Sequence, residues 1–281
     1  MVLSYHNIAV HPGFWTLSRK QFREQVLFLN DHYKVVSIED YVTYVLENGR
    51  SEMDAVVITF DDAYLSYANE VVPLLDQLQI PSTVFVCTGY IGKSNEWNDE
   101  ENRSPIMSAD FVKALSANPL VTIGAHTVFH QSLAGLQKPI ARFELDESKK
   151  YLEAMLGKKI DYVAYPYGQL HEHVNTRVMN LARDLEYRAA FTTNADITNT
   201  RDARFRMNRL DLSMEEDFES FKLKLQPGNP FLGQQKRLNR TMLMRRMRIL
   251  GYTSLLTVAD KIQDVASALD WSVAAEMLPS F

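Results

Sequence analysis

Thr59-Phe60-Asp61-Asp62 and His126-Thr127-Val128-Phe129-His130 are the two segments whose side chains can do chemistry together. Val56-Val57-Ile58-Thr59-Phe60 is β-branched and aromatic, as a buried strand is, and two adjacent carboxylates are poor continuations of such a strand. Val121-Thr122-Ile123-Gly124-Ala125 reads as a second strand, running into His126. His130 follows four residues later, about one helical turn, a spacing that lets both imidazoles face one point. Two His and one carboxylate form a facial set for a divalent metal with open positions, and zinc suits those donors. The other carboxylate is then free to act as a base on an activated water. That chemistry is hydrolysis. Taken singly, each piece has a plainer use: an Asp pair after a strand also caps a turn or helix, and a His pair also sits on a solvated surface or in a satisfied core.

The elements that must position these groups alternate along the chain. Val2 to His6 is a strand pattern, and Ser18 opens a helical run with Phe22, Val26 and Leu29 on one face. A short strand at 34–36 precedes a helix capped by Ser37. The strand at 56–60 is followed by a helix over 63–78, a strand at 83–87, a polar loop from Gly89 to about Pro105, and a helix from Ser108 into the strand at 121–125. Helices are expected over 139–156 and 172–185, and strands over 162–165, 188–192 and 205–212. Strands alternating with helices argue a parallel sheet, and about eight of them argue closure into a barrel. Both motifs then fall at strand ends, where the active sites of such barrels lie.

The 281 residues, 46% hydrophobic and 23% charged, describe an ordinary globular chain. The formal net charge of −5 provides no basic footprint, so no nucleic-acid partner is expected. The single cysteine, Cys87, excludes an internal disulfide and falls in an apolar run, where it reads as a buried inert thiol. No stretch approaches the ~20 apolar residues of a transmembrane segment. As written the chain reads as cytoplasmic, or as exported to the cell envelope if a leader once preceded Met1.

After Leu212 the pattern changes. Pro227-Gly228-Asn229-Pro230 is a breaker cluster, and 236–248 is an amphipathic helix pattern with arginines interleaved among Met242, Leu243 and Met247. Residues 1–212 are therefore expected to form one domain and 213–281 a C-terminal helical extension packed on it. The basic face of 236–248 suits either solvent or contact with a membrane surface or partner.

On these residues the chain resembles the polysaccharide deacetylases, carbohydrate esterase family 4, over roughly residues 1–212. Thr59-Phe60-Asp61-Asp62 is similar to the T-F-D-D motif of that family, His126-Thr127-x-x-His130 to its H-[ST]-x-x-H motif, and Tyr165-Pro166-Tyr167-Gly168 to its R-x-P-Y-G motif. The resemblance implies a distorted parallel (β/α) barrel and a zinc-type centre held by Asp62, His126 and His130. It makes Asp61 the general base and lines the substrate groove with Tyr165, Pro166, Tyr167 and Gly168. Trp97, in the polar loop, offers a further aromatic face for a sugar ring.

Two departures from the pattern carry their own expectations. Ala164 stands where the third motif begins with an arginine that orients the base, and Arg209, then Arg206, are candidates to replace it. No His follows His173 to match the late histidine acid of the family. Tyr5-His6 resembles the start of a permuted branch in which the N-terminal strand takes that place, so His6 would be the acid. His171 and His173 read as a solvated helix start or a substrate contact, and His11 and His32 as surface. The implied reaction is removal of acetyl from N-acetylhexosamine units of a glycan. A sugar O-acetyl esterase, a small-amide hydrolase, an inactive glycan-binding module and an interaction scaffold are the alternatives.

Overall fold

The computed structural model describes residues 1–9, 15–212 and 217–227, with the side chain of Glu101 set aside. The basic segment 236–248, His11 and nearly all of the expected C-terminal extension lie outside the described residues.

Strand β1 (Val2–Tyr5) leads to a small parallel pair, β2 (Asn7–Ile8) and β3 (Thr16–Leu17), and then to helix α1 (Arg19–His32). Ser18 caps α1 with a full capping box to Gln21, and Ser37 caps α2 (Ile38–Asn48) by accepting the Asp40 N–H. β4 (Lys34–Val35) lies between them, and β5 (Ala55–Phe60) follows. The chain continues through one π-helical turn (Tyr67–Val71) into α3 (Val72–Leu78), β6 (Ser82–Val86), α4 (Ala109–Ser116) and β7 (Val121–Ala125). It closes with α5 (Lys138–Leu156), β8 (Tyr162–Ala164), α6 (Thr176–Asp184), β9 (Ala189–Phe191), β10 (Leu210–Asp211) and α7 (Phe218–Lys224).

The sheet is parallel throughout, in the order β10-β1-β5-β6-β7-β8-β9, with β4 paired to the start of β5. Its two ends are stitched together by the segment before β10. Phe191 bridges Met207 in parallel, while Leu210 and Asp211 pair with Leu3 and Ser4. This is a distorted (β/α) barrel, and the strand expected over 205–212 is divided between two neighbours. The division has a local cause: Asn208 leaves the ladder to give its N–H to Asn199 Oδ1, and Arg209 turns its side chain inward.

Alternation along β5 sorts the core. Val56, Ile58 and Phe60 pack with α1, α3, α4, α5 and α6 residues on the outer face. Ala55 and Val57 join Phe85, Tyr162, Phe191 and Met207 in the interior, which Ile38, Tyr41, Val42 and Val45 of α2 close. Thr59 and Asp61 continue the inward series toward the strand end. Beyond β10, α7 meets α1 where Phe28 contacts Phe218 and Phe221 edge-on, and Lys224 Nζ donates to the Asp211 carbonyl at 2.6 Å. Among the described residues no helix is long and apolar enough to cross a membrane.

Candidate active site

Asp61 and Asp62 are adjacent in sequence yet face different partners. The Asp61 N–H still donates to the Tyr5 carbonyl at 2.9 Å, extending the β1–β5 ladder by one residue. Asp62 and Ala63 then enter the left-handed region, with φ of 71° and 58°. Non-glycine residues sit there only when the surroundings over-determine them, and such residues gather at functional sites. The turn sends the Asp61 carboxylate back over the barrel interior and the Asp62 carboxylate toward the histidines.

Arg209 meets Asp61 as a bidentate pair, Nη1 to Oδ1 and Nη2 to Oδ2, both at 2.7 Å. The guanidinium is wholly buried and its geometry is set on all sides. Nε donates to the Thr192 carbonyl at 3.1 Å, Nη1 also reaches Thr59 Oγ1 at 3.2 Å, and the group lies over the Phe85 ring. Burial alone would raise the Asp61 carboxyl, but Arg209, with His126 behind it, holds it below the ordinary range. The carboxylate is thus kept ionised and aimed. Arg206, the other candidate, is not the partner of Asp61; its backbone N–H donates to the Ala203 carbonyl at 2.7 Å.

Asp62, His126 and His130 form one buried group whose ligand atoms all lie within 4.8 Å of one another. Asp62 Oδ1 is 3.3 Å from His126 Nε2 and 3.2 Å from His130 Nε2. His126 Nδ1 lies 2.8 Å from the Ala164 carbonyl, so that nitrogen carries the hydrogen and Nε2 presents a lone pair. A carboxylate oxygen with no hydrogen-bond donor from the protein, facing a tautomerically fixed imidazole and a second one, fits a divalent cation. Burial disfavours the Asp62 anion, yet His130 and His126 hold its carboxyl well below the usual range. Burial lowers both imidazoles as well; the Asp61 and Asp62 carboxylates reverse that for His126 but not for His130. The Tyr64 hydroxyl is pushed well above its usual range, by burial and then by the Asp62 charge, and accepts from Asn95 Nδ2 at 3.0 Å.

The two histidines are spaced by about one helical turn but do not lie on a helix. Residues 126–130 are irregular, with Thr127 at φ +64° and His130 at φ +54°. The backbone is held from both sides. Thr127 Oγ1 accepts the His130 N–H at 3.2 Å, and one oxygen of Glu144 on α5 accepts the Val128 and Phe129 N–H groups at 2.9 Å each. On the opposite side the Thr88 and Gly89 N–H groups donate to the Thr127 and Val128 carbonyls. Cys87, buried as expected, gives its thiol hydrogen to the Val128 carbonyl.

The third motif forms a three-residue turn in which the Gly168 N–H donates to the Pro166 carbonyl at 2.7 Å and Tyr167 sits at φ +60°. Gly168 is required twice over: its φ is +62°, and a Cβ there would come within 2.6 Å of the Thr193 nitrogen. Of the four residues expected to line a groove only Tyr167 is exposed, at 38%. Tyr165 corrects its expectation: it is 1% exposed, with its hydroxyl donating to the Phe205 carbonyl, because at the end of β8 it points with Val163 into the helix-facing core. Trp97 is half-buried, its ring stacked on His130 at 4.3 Å and edge-on to Tyr90, so one face is already covered.

His6 directly follows β1, at the same strand ends as Asp61, with its ring 4.9 Å from Trp15. Its charge bears on both Asp61 and Asp211. Asp211, which sequence reasoning passed over, is the last residue of β10; burial raises its carboxyl against the opposing effects of His6 and Arg209. An acid two residues after Arg209 at a strand end was the available signal. His173 departs from its expectation. α6 starts at Thr176, and His173 lies in the preceding turn, 1% exposed, with its ring 5.2 Å from that of Tyr167. His171 is exposed.

A parallel sheet ending in two carboxylates, two histidines and a buried arginine suits a hydrolase, and comparison with known proteins gives the class. The sequence pattern of the polysaccharide deacetylases matches residues 48–190, and the chain belongs to that family. It is 22% identical over 213 residues to YxkH of Bacillus subtilis (strain 168), spanning 75% of this chain and 71% of that one. It is 25% identical over 162 residues to the poly-beta-1,6-N-acetyl-D-glucosamine N-deacetylase of Staphylococcus aureus (strain MSSA476), spanning 56% of each. Among solved structures, IcaB from Ammonifex degensii superposes with a TM-score of 0.69 at 23% identity, over 80% of this chain and 96% of that one, which establishes the shared fold.

Proposed function

We propose that this chain removes acetyl groups from N-acetylhexosamine units of a glycan. The observation that carries the reading is the opposed pair of carboxylates: Asp61 locked to Arg209, and Asp62 turned to His126 and His130. The name of the S. aureus relative supports the amino-sugar substrate. Asp62, His126 and His130 would hold one divalent ion, zinc by its donor set, which when bound acidifies water and polarises the acetyl carbonyl.

The remaining steps belong to side chains of this protein. Asp61, ionised and oriented by Arg209, takes the proton of the attacking water. His6, at the neighbouring strand end, supplies a proton to the departing amine, which is otherwise a poor leaving group. Tyr167 offers the exposed aromatic face against which a sugar ring packs, and Trp97 steadies His130 from behind. We assign the hydrolase to residues 1–212 and no catalytic group to 213–281. Acetate release from a panel of N-acetylated oligosaccharides, O-acetylated sugars and small amides, with and without chelator, tests the reading. Chelator-sensitive release from the N-acetylated glycans is expected. Release from O-acetyl sugars alone would reassign the enzyme, and no release at all would leave a glycan-binding module.

A further inference from the structure

The loop between the two histidine ligands is held in a conformation that its own residues do not favour. Thr127 is β-branched and His130 is bulky, and both occupy the left-handed region. Such backbone persists only where neighbours over-determine it. The carbonyl side of the loop is tied to Thr88 and Gly89, which follow β6. On its N–H side Thr127 Oγ1 takes the His130 N–H from within the loop, and from outside it one oxygen of Glu144 takes both the Val128 and the Phe129 N–H.

Glu144 is an odd choice for its place. It lies on the buried stripe of α5 with Ala141, Leu145, Ser148 and Leu152, wholly inaccessible, and among the described residues it forms no ion pair. A carboxylate in such surroundings is costly unless its hydrogen bonds matter. The Thr127 hydroxyl joins the Phe129 and Val128 N–H groups in opposing the cost of burying the Glu144 anion. The residue touches neither His126 nor His130, and nothing in the proposed reaction uses it.

We infer that Glu144 is the positioning residue of the metal centre: by accepting two successive N–H groups on one oxygen it fixes the left-handed turn that carries His130 into register with His126 and Asp62. The inference rests on the metal reading above. It makes the site preformed, so that cation binding does not have to order the loop.

The test uses the full chain in three variants, with zinc affinity measured by chelator competition and exchange at the Val128 and Phe129 amides measured on metal-free protein. Glu144→Asp keeps the carboxyl group but is one methylene too short to take both N–H groups. It should weaken zinc binding about 10- to 100-fold, the usual worth of an outer partner of a ligand. The two amides should exchange faster, and KM for an acetylated substrate should stay near wild type. Glu144→Gln, whose carbonyl can accept both bonds, should retain affinity within a few-fold and keep the amides protected. Leu145→Ala, a neighbouring buried position on α5, should lower the melting temperature while leaving zinc affinity and both amides unchanged. Wild-type affinity and exchange in Glu144→Asp would overturn the inference. So would a Gln variant that falls with Asp, or a Leu145→Ala variant that loses as much zinc affinity. Failure of the metal reading is separately visible as a wild-type chain that holds no zinc, in which case the two amides alone decide whether Glu144 fixes the turn.

Discussion

Arg209 and Asp61, 148 residues apart, meet oxygen to nitrogen at 2.7 Å on both arms of the guanidinium, in a place solvent does not reach. Removing one partner of such a pair leaves an uncompensated buried charge, at a cost of about 3–5 kcal/mol. Arg209→Met should therefore lower the melting temperature sharply and lose deacetylation by about 10² or more, since it also disorients the base. Arg209→Lys keeps the charge but not the fork, and is expected to fold better than the Met variant while recovering little turnover. Calorimetry and acetate release on the two variants check this. Full activity in Arg209→Met would remove the arginine from the mechanism.

Asp61→Asn should keep its metal and lose activity by a factor on the order of 10² to 10⁴, the range general-base catalysis commands. Metal content and turnover, measured on one preparation, separate the roles of the adjacent carboxylates. Loss of metal would show that they had been exchanged.

His126→Ala combined with His130→Ala should abolish binding of about one equivalent of divalent metal, because both imidazoles belong to one three-membered ligand group. Elemental analysis of the purified double variant decides it. Unchanged metal content would place the ion elsewhere.

His6→Ala should suppress release of acetate from an N-acetyl sugar strongly while sparing an activated aryl acetate, whose phenolate departs unaided. Equal losses on the two substrates would make His6 a shaping residue and not a proton donor.

His173 predicts a pH effect on stability. Burial, with His130 adding to it, lowers the ring from its ordinary 6.5 to about 4. The unfolded chain therefore binds more protons than the folded one between those values, and stability falls as pH drops through the window. At about 1.4 kcal/mol per pH unit the loss amounts to about 3 kcal/mol. His173→Leu should remove this contribution, so that the variant gains stability over wild type at pH 4 compared with the same difference at pH 7.5. Denaturant titrations at the two pH values measure it, and parallel behaviour of both proteins would exclude the effect.

Residue type and spacing made the Asp62, His126 and His130 group legible, because carboxylates and imidazoles at the ends of neighbouring parallel strands converge at one mouth of a barrel. Arg209 was legible through the family resemblance: Ala164 stands where the third motif has an arginine, and the strand pattern near Leu210 offered a replacement. What could not be read was the sign of φ. Nothing in Thr127 or His130 announces left-handed backbone, so the four-residue spacing showed that the two rings could converge but not the turn that brings them together. Glu144 was hidden differently, as one acid among several on a helix. Its mark was its position between Ala141 and Leu145 on the apolar stripe, which only burial makes meaningful. Tyr165 and His173 misled because exposure is a property of the folded loop and not of aromatic or imidazole chemistry.

The closure of the barrel between Phe191, Met207 and β10 also sets an order of events during synthesis. A ribosome delivers Asp61, Asp62, His126 and His130 well before Arg209, so the Asp61 carboxylate is made long before its counter-charge. Only when the last strand docks beside the first does the guanidinium arrive from across the sheet. In the proposed reaction the base therefore gains its orienting partner only from the last strand of the barrel to be made.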